Sequence, residues 1–318
     1  MDIKLANSVA VKIVSELNKA LIGQDVVIEQ VVVSLLSGGH ALLEGVPGTG
    51  KTLLARALSY VTGSVFRRIQ FTPDLMPSDI VGVNIYDMAT KEFVFRPGPI
   101  FSDILLADEI NRAPAKTQSA LLEAMQECQA TVDGKSYLMS PVFTVFATQN
   151  PVEFEGTYPL PEAQVDRFMM KVIIDYPAEN PESTILDKVE EGFDAAKLST
   201  ANIQQVLDVK KLANIRKVTK SVHVEEMVRR YITQIVRTTR SMPQITLGAS
   251  PRAGVMLILA AKGRALVLGR DFVTPDDVKA MALPVLRHRI LLFPEAEVEG
   301  KTTDDCINEI LLKVEVPR

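Results

Sequence analysis

The chain is poor in the residues that build disulfide frameworks and metal centres, with two cysteines and three histidines in 318 residues. Cys128 and Cys306 are too few and too far apart for a disulfide framework, and they read as reduced thiols of a cytoplasmic protein. His40, His223 and His288 lack metal-ligand spacing and read as structural or surface residues. No apolar run reaches the ~18 residues of a membrane span. The N-terminal stretch Met1-Asp2-Ile3-Lys4-Leu5 lacks the apolar core of a secretory signal. There is no internal repeat and no low-complexity tract. A net charge of −4 gives no overall basic surplus, so nucleic acid is not the expected main partner.

What remains is an ordinary globular composition, 47% hydrophobic and 23% charged, long enough for two domains. Gly45-Val46-Pro47-Gly48-Thr49-Gly50-Lys51-Thr52 fits the phosphate-binding pattern G-x-x-x-x-G-K-[S/T]. An apolar strand, 40–44, precedes it and a helix, 51–61, follows. The glycines let backbone N–H groups curl around a polyphosphate at a helix N-terminus. Lys51 would reach the β- and γ-phosphates and Thr52 would ligate Mg²⁺.

Further strands are expected at 65–71, 104–108, 142–148 and 169–175, with helices at 115–127 and 161–167. Strand–helix alternation of this kind builds an α/β domain with a parallel sheet flanked by helices. Two helices precede it, over 2–20 and from Gln24 to Gly38. Two hairpins interrupt it: Val83–Tyr86 with Lys91–Arg96, and Gln129–Val132 with Ser136–Met139 around Asp133-Gly134. They read as partner-contact insertions or as plain solvated turns. Pro177-Ala-Glu-Asn-Pro181 reads as a linker. After it only helices are expected, over 182–192, 208–217, 224–240, 251–268 and 275–291. Ser250-Pro251 and Thr274-Pro275 each place an N-cap before a first-turn proline. The domains expected are therefore 1–176 and an all-α 177–318.

The second chemical motif is Ile104-Leu105-Leu106-Ala107-Asp108-Glu109, an apolar strand ending in two carboxylates. Asp108 would reach the Mg²⁺, and Glu109 would orient or deprotonate the water that attacks the γ-phosphate. Alone, such a run can be a plain strand end. Paired with the phosphate loop it marks a nucleotide site.

Together these motifs resemble the nucleotide site of AAA+ ATPases. Asp108-Glu109-Ile110-Asn111-Arg112-Ala113-Pro114 is close to the Walker B stretch of the MoxR family, and the loop at 45–52 also matches that family. The similarity runs from Ile22-Gly23-Gln24 to the C-terminal helices. The resemblance implies an AAA+ P-loop core followed by an all-α lid, with nucleotide held by Gly45 through Leu53. Ile22, Gly23 and Gln24 would line the adenine pocket. Asn150, in Thr148-Gln149-Asn150-Pro151, looks like sensor 1, the alternative being a turn-forming Asn before Pro. Arg167 matches the arginine-finger position, the alternative being a salt bridge to Asp166 or Glu162. Arg252 looks like sensor 2, in cis or in trans. Arg112 would contact a neighbour or the insert, or make a helix-start salt bridge.

The function so implied is Mg²⁺-dependent hydrolysis of ATP by a hexameric ring. It would remodel a protein client beside a partner with a von Willebrand factor A domain. A nucleic-acid-tracking motor, a metal-chelatase motor subunit and a nucleotide-gated binding module are the other readings.

Overall fold

The computed structural model describes residues 2–150 and 157–317; Pro151 of the Asn150 motif lies outside them. Asp2 starts helix α1 (Ile3–Ala20) by accepting the Leu5 N–H at 2.8 Å, satisfying one of the donors a helix N-terminus leaves open. Helix α2 (Asp25–Ser37) stops at Gly38, whose φ of 73° turns the chain into the sheet. There follow β1 (Ala41–Glu44), α3 (Lys51–Val61), β2 (Phe66–Gln70), α4 (Pro77–Val81), and the hairpin β3 (Gly82–Asp87) and β4 (Glu92–Pro97). Next come β5 (Ile104–Asp108), α5 (Ala115–Glu127), the hairpin β6 (Gln129–Val132) and β7 (Lys135–Leu138), β8 (Thr144–Gln149), α6 (Glu162–Val165) and β9 (Met170–Ile173).

The main sheet runs β2-β5-β8-β1-β9, with every neighbouring pair parallel. Its inner strands are apolar on both sides because both faces are covered. Ile104, Leu106 and Phe146 join one core with α1, α2 and α3, while Leu105, Val145 and Ala147 join a second core with α4 and α5. This is the α/β sheet the strand–helix alternation predicts.

The C-terminal half contains α7 (Glu179–Glu190), α8 (Val209–Ser221), α9 (Glu226–Thr239), β10 (Ile245–Leu247), α10 (Pro251–Val267), α11 (Pro275–Leu286), β11 (Leu291–Leu292), α12 (Pro294–Val298) and α13 (Thr303–Lys313). It departs from expectation in two places. The linker expected over 177–181 contains the start of α7. Pro181 sits in the first helical turn, where no intrahelical N–H bond is lost. The helix expected over 275–291 ends at Leu286, and Leu291-Leu292 instead pair antiparallel with Ile245 and Leu247. The half is therefore helical with one small two-stranded sheet. Of the two expected caps, Thr274 forms a reciprocal capping box with Asp277, while Ser250 takes the N-cap position before Pro251 without a side-chain cap hydrogen bond.

The C-terminal helices share the first core with α1 and α2. Asn7 Nδ2 donates to the carbonyls of Leu266 and Val267 at 3.0 and 2.8 Å. Arg264 bridges Glu29 of α2 (2.9 Å) and the fully buried Asp277 of α11 (2.8 Å). The two hairpins also lean on each other. Phe95 stacks on Tyr137 with centroids 4.0 Å apart, and Asn84 Nδ2 donates to Asp133 Oδ2 at 2.7 Å. Asp133 and Gly134 both adopt positive φ, as an Asp-Gly hairpin turn requires. No helix among the described residues is long and apolar enough to cross a membrane.

His40 is buried where β1 begins. Its Nδ1 accepts the Val145 N–H at 2.9 Å, leaving Nε2 to donate to Met125 O at 3.3 Å. Burial pushes its pKa down to about 4, so the folded ring stays neutral while the unfolded one protonates near 6.5. Its contribution to stability is therefore intact above pH ~6.5 and lost as pH falls toward 4. Urea midpoints measured across this range should fall, with a loss on the order of 3 kcal/mol from this residue. His40→Gln should flatten that slope; an unchanged slope would rule the residue out as its source.

Candidate nucleotide site

The loop after β1 is shaped by close approach. A Cβ on Gly45 would lie 2.3 Å from the Ile174 carbonyl oxygen, so only glycine lets the chain leave the sheet there. Gly50 has φ 86°, a left-handed conformation that turns the loop into the N-terminus of α3. Thr49 Oγ1 donates to Val46 O at 3.0 Å, and Lys51 Nζ donates to Gly45 O and Val46 O at 2.7 and 2.8 Å. The Lys51 ammonium thus caps the loop from within. Burial lowers its pKa, opposed by the charges of Asp108 and Glu109, which places both carboxylates near it.

Asp108 ends β5 with its side chain 12% exposed. Its Oδ1 accepts the Thr148 hydroxyl at 2.5 Å, and its Oδ2 accepts Arg68 Nε and Nη2 at 3.0 and 2.7 Å. Thr148 also accepts the Glu109 N–H at 2.8 Å, so β8 fixes the end of the carboxylate strand. Glu109 adopts φ 56°, a left-handed backbone uncommon for a side-chain-bearing residue. Its Oε2 accepts Gln70 Nε2 at 2.6 Å and pairs with Arg112 Nε at 3.0 Å. Arg112 therefore forms the short-range salt bridge that was one of its two sequence readings.

A cleft of about 470 Å³ joins these parts: Pro47 through Leu53, Arg56, Asp108, Glu109, Thr148, Gln149 and Asn150 line it, with Ala195 and Ala196 at its edge. Asn150 follows β8, which pairs with β5. The fold thus brings Lys51, Thr52, Asp108, Glu109 and Asn150 to one cavity at the C-terminal ends of parallel strands, where α/β sheets place ligands. Among the described residues no cluster of three His, Cys, Asp or Glu exists to hold a metal ion alone. A magnesium ion needs less, since one carboxylate, one hydroxyl and phosphate oxygens suffice. Thr52 and Asp108 both line the cleft and would offer that hydroxyl and carboxylate.

Ile22, Gly23 and Gln24 do not line this cleft. Gln24 Nε2 donates to Asp175 O at 2.9 Å. Gly23, at φ 73°, backs onto Pro181, where a Cβ would come within 2.5 Å. The adjacent Leu21 lies 3.5 Å from a Cβ built on Gly50.

Arg167 and Arg252 are also outside the cleft. They line a second cavity of about 150 Å³, together with His40, Met125, Gln126 and Met169. Arg167 Nη1 donates to Leu122 O at 2.6 Å. The expected alternative, a salt bridge to Asp166, is replaced by a different pair. Asp166 Oδ1 accepts Arg289 Nε at 2.6 Å and Asp166 Oδ2 accepts Ser250 Oγ at 3.3 Å.

The sequence offered no signal for several of these partners. Arg68, Gln70 and Thr148 reach the carboxylates only through strand order, with Gln70 in register with Asp108. Arg56 Nη2 donates to Ala196 O at 2.9 Å, tying α3 to the segment after α7. Arg289, 1% exposed, also donates to the carbonyls of Asp166, Phe168 and Met169 at 3.0, 2.5 and 3.0 Å. It holds the turn that carries Arg167. Arg289→Leu should cost about 3 kcal/mol by leaving Asp166 and these carbonyls without their cation. A urea midpoint matching that of the unaltered protein would refute this.

A family model for ATPases associated with various cellular activities (AAA) matches residues 40–170, and an AAA lid domain model matches 237–310. The chain is 42% identical to Chaperone MoxR1 of Mycobacterium tuberculosis, over 95% of this chain and 81% of that protein. It is 30% identical to Protein MoxR of Methylorubrum extorquens, over 95% and 93% of the two chains. A crystal structure from Cytophaga hutchinsonii, described as a candidate ATPase, superposes with a TM-score of 0.90 at 41% identity, covering 99% of this chain and 96% of that one. Similarity to named MoxR proteins over most of the chain and a matching fold agree with the site's own geometry: the protein is a member of the MoxR family of AAA+ ATPases.

Proposed function

We propose that the protein hydrolyses ATP to ADP and phosphate with Mg²⁺, as a ring whose conformational changes remodel a protein client. The cleft that gathers Lys51, Thr52, Asp108, Glu109 and Asn150 carries this reading. Gly45 through Leu53 would hold the phosphates, and Thr52 and Asp108 would hold Mg²⁺, which would supply charge neutralisation for the phosphates. Glu109 orients the attacking water. The Asn150 amide hydrogen-bonds the water or γ-phosphate without adding charge. By family resemblance, Ile22, Gly23 and Gln24, which lie outside the phosphate cleft, would pack against the adenine.

Arg167 and Arg252 act on the ATP of a neighbouring subunit. Their shared cavity, away from their own phosphate cleft, supports this. A site completed by a neighbour's arginines requires assembly, and a hexamer is the ring we propose by family resemblance. Residues 1–176 form the core and 177–318 the lid that shifts with nucleotide state. The relative named a chaperone supports a protein client, and family resemblance supports a partner with a von Willebrand factor A domain. Both thiols are unpaired, which suits the cytoplasm.

Glu109→Gln should form a hexamer-sized particle with Mg–ATP and a smaller one with Mg–ADP, read by light scattering. A monomer in both would overturn the ring. Arg167→Ala should lower kcat by about 10³-fold or more. Mixing it with Lys51→Ala, itself inactive, should restore activity, because some interfaces then pair an intact Lys51 with an intact Arg167. Failure to recover would remove Arg167 from a trans role.

A further inference from the structure

We infer that Arg68 is a positioning residue that competes with the divalent cation for Asp108. It holds the carboxylate before the metal arrives and yields the oxygen when it does. The inference rests on the reading of the cleft as a Mg²⁺–nucleotide site.

The geometry of the pair is one-sided. Arg68 places both Nε and Nη2 on the same oxygen, Oδ2, at 3.0 and 2.7 Å. A fork grasping a carboxylate as a permanent structural clamp commonly spreads over both oxygens. Here Oδ1 is committed to the Thr148 hydroxyl at 2.5 Å, which also fixes the Glu109 backbone. Oδ2 is thus the oxygen a metal would take, and a guanidinium already sits on it.

The two partners also differ in freedom. Asp108 is nearly buried, with its side chain 12% exposed, so its charge needs a cation at all times. Arg68 is 47% exposed and stands on β2, the edge strand of the sheet. It can swing into water with little desolvation to reverse. A divalent ion and a guanidinium on one oxygen repel each other, so the mobile partner leaves. Its departure has a second consequence. Arg68 Nη2 donates to Gln70 Oε1 at 2.9 Å, and Gln70 Nε2 donates to Glu109 Oε2 at 2.6 Å. Losing Arg68 frees the Gln70 amide that restrains Glu109, so metal arrival is felt at the second carboxylate.

The test compares the unaltered protein with Arg68→Met, and with Arg68→Gln should Met not fold. Binding of a fluorescent ADP, with Mg²⁺ or with chelator, first establishes the nucleotide site independently. Calorimetric titration of Mn²⁺ into ADP-loaded protein then gives the metal affinity. Removing the competitor should tighten Mn²⁺ by about tenfold. By linkage, the variant should melt below the unaltered protein in chelator, and that deficit should vanish with saturating Mg²⁺ and ADP. Crystals with Mg²⁺ and ADP should show Arg68 more than ~4 Å from Asp108 Oδ2. Equal Mn²⁺ affinities, or an equal melting deficit with and without metal, would make the pair a static salt bridge and overturn the inference alone. Absence of nucleotide binding in the unaltered protein would overturn the ATPase reading and this inference together.

Discussion

A carboxylate at the end of a buried strand is the constraint around which this site is arranged. Asp108 completes β5, whose five residues are all buried. A buried charge there must be met by donors and cations. The fold meets it from three directions: Thr148 from β8, Arg68 from β2, and the field of Lys51 from the loop after β1. Those contacts need β5 between β2 and β8 in the observed register. The parallel order of the sheet and the electrostatics of the site are therefore one arrangement. Glu109 inherits its place from the same contact, since its N–H rests on the hydroxyl that holds Asp108.

The molecule separates the chemistry into two places. The residues of the phosphate-loop motif and the two carboxylates converge on one cleft, while Arg167 and Arg252 meet at another cavity. That separation has a structural cause. Arg252 opens α10, and α10 is fastened to α2 and α11 through Arg264, Glu29 and Asp277. Arg167 sits on a turn clamped by the buried Arg289 from the end of α11. Arg252 thus stands on an anchored helix and Arg167 on a clamped turn.

The site's core was legible because its chemistry is local. Gly45 to Thr52 needs adjacent residues: glycines for the turn, then Lys and Thr at the start of a helix. Asp108 and Glu109 were legible because an apolar run ending in two carboxylates, weak by itself, gains meaning beside a phosphate-loop motif in the same sheet. Helices α1, α2, α5, α9 and α10 were legible from their apolar spacing. Where expectation failed, context outweighed local preference. Pro181 reads as a linker but fits a helix's first turn. Leu291-Leu292 continues a helical pattern but pairs with Ile245 and Leu247 instead. A two-residue strand has no periodicity to read.

The sequence by itself determined the phosphate loop, the paired carboxylates and the α/β alternation, because each follows from neighbours along the chain. Tertiary structure decided what touches Asp108, Glu109 and Arg167. Arg68 and Asp108 are forty residues apart, and Arg289 and Asp166 lie still farther apart, at a separation of 123. Such pairs depend on strand order and helix docking, which are set by how two hydrophobic cores close over the sheet rather than by any local pattern.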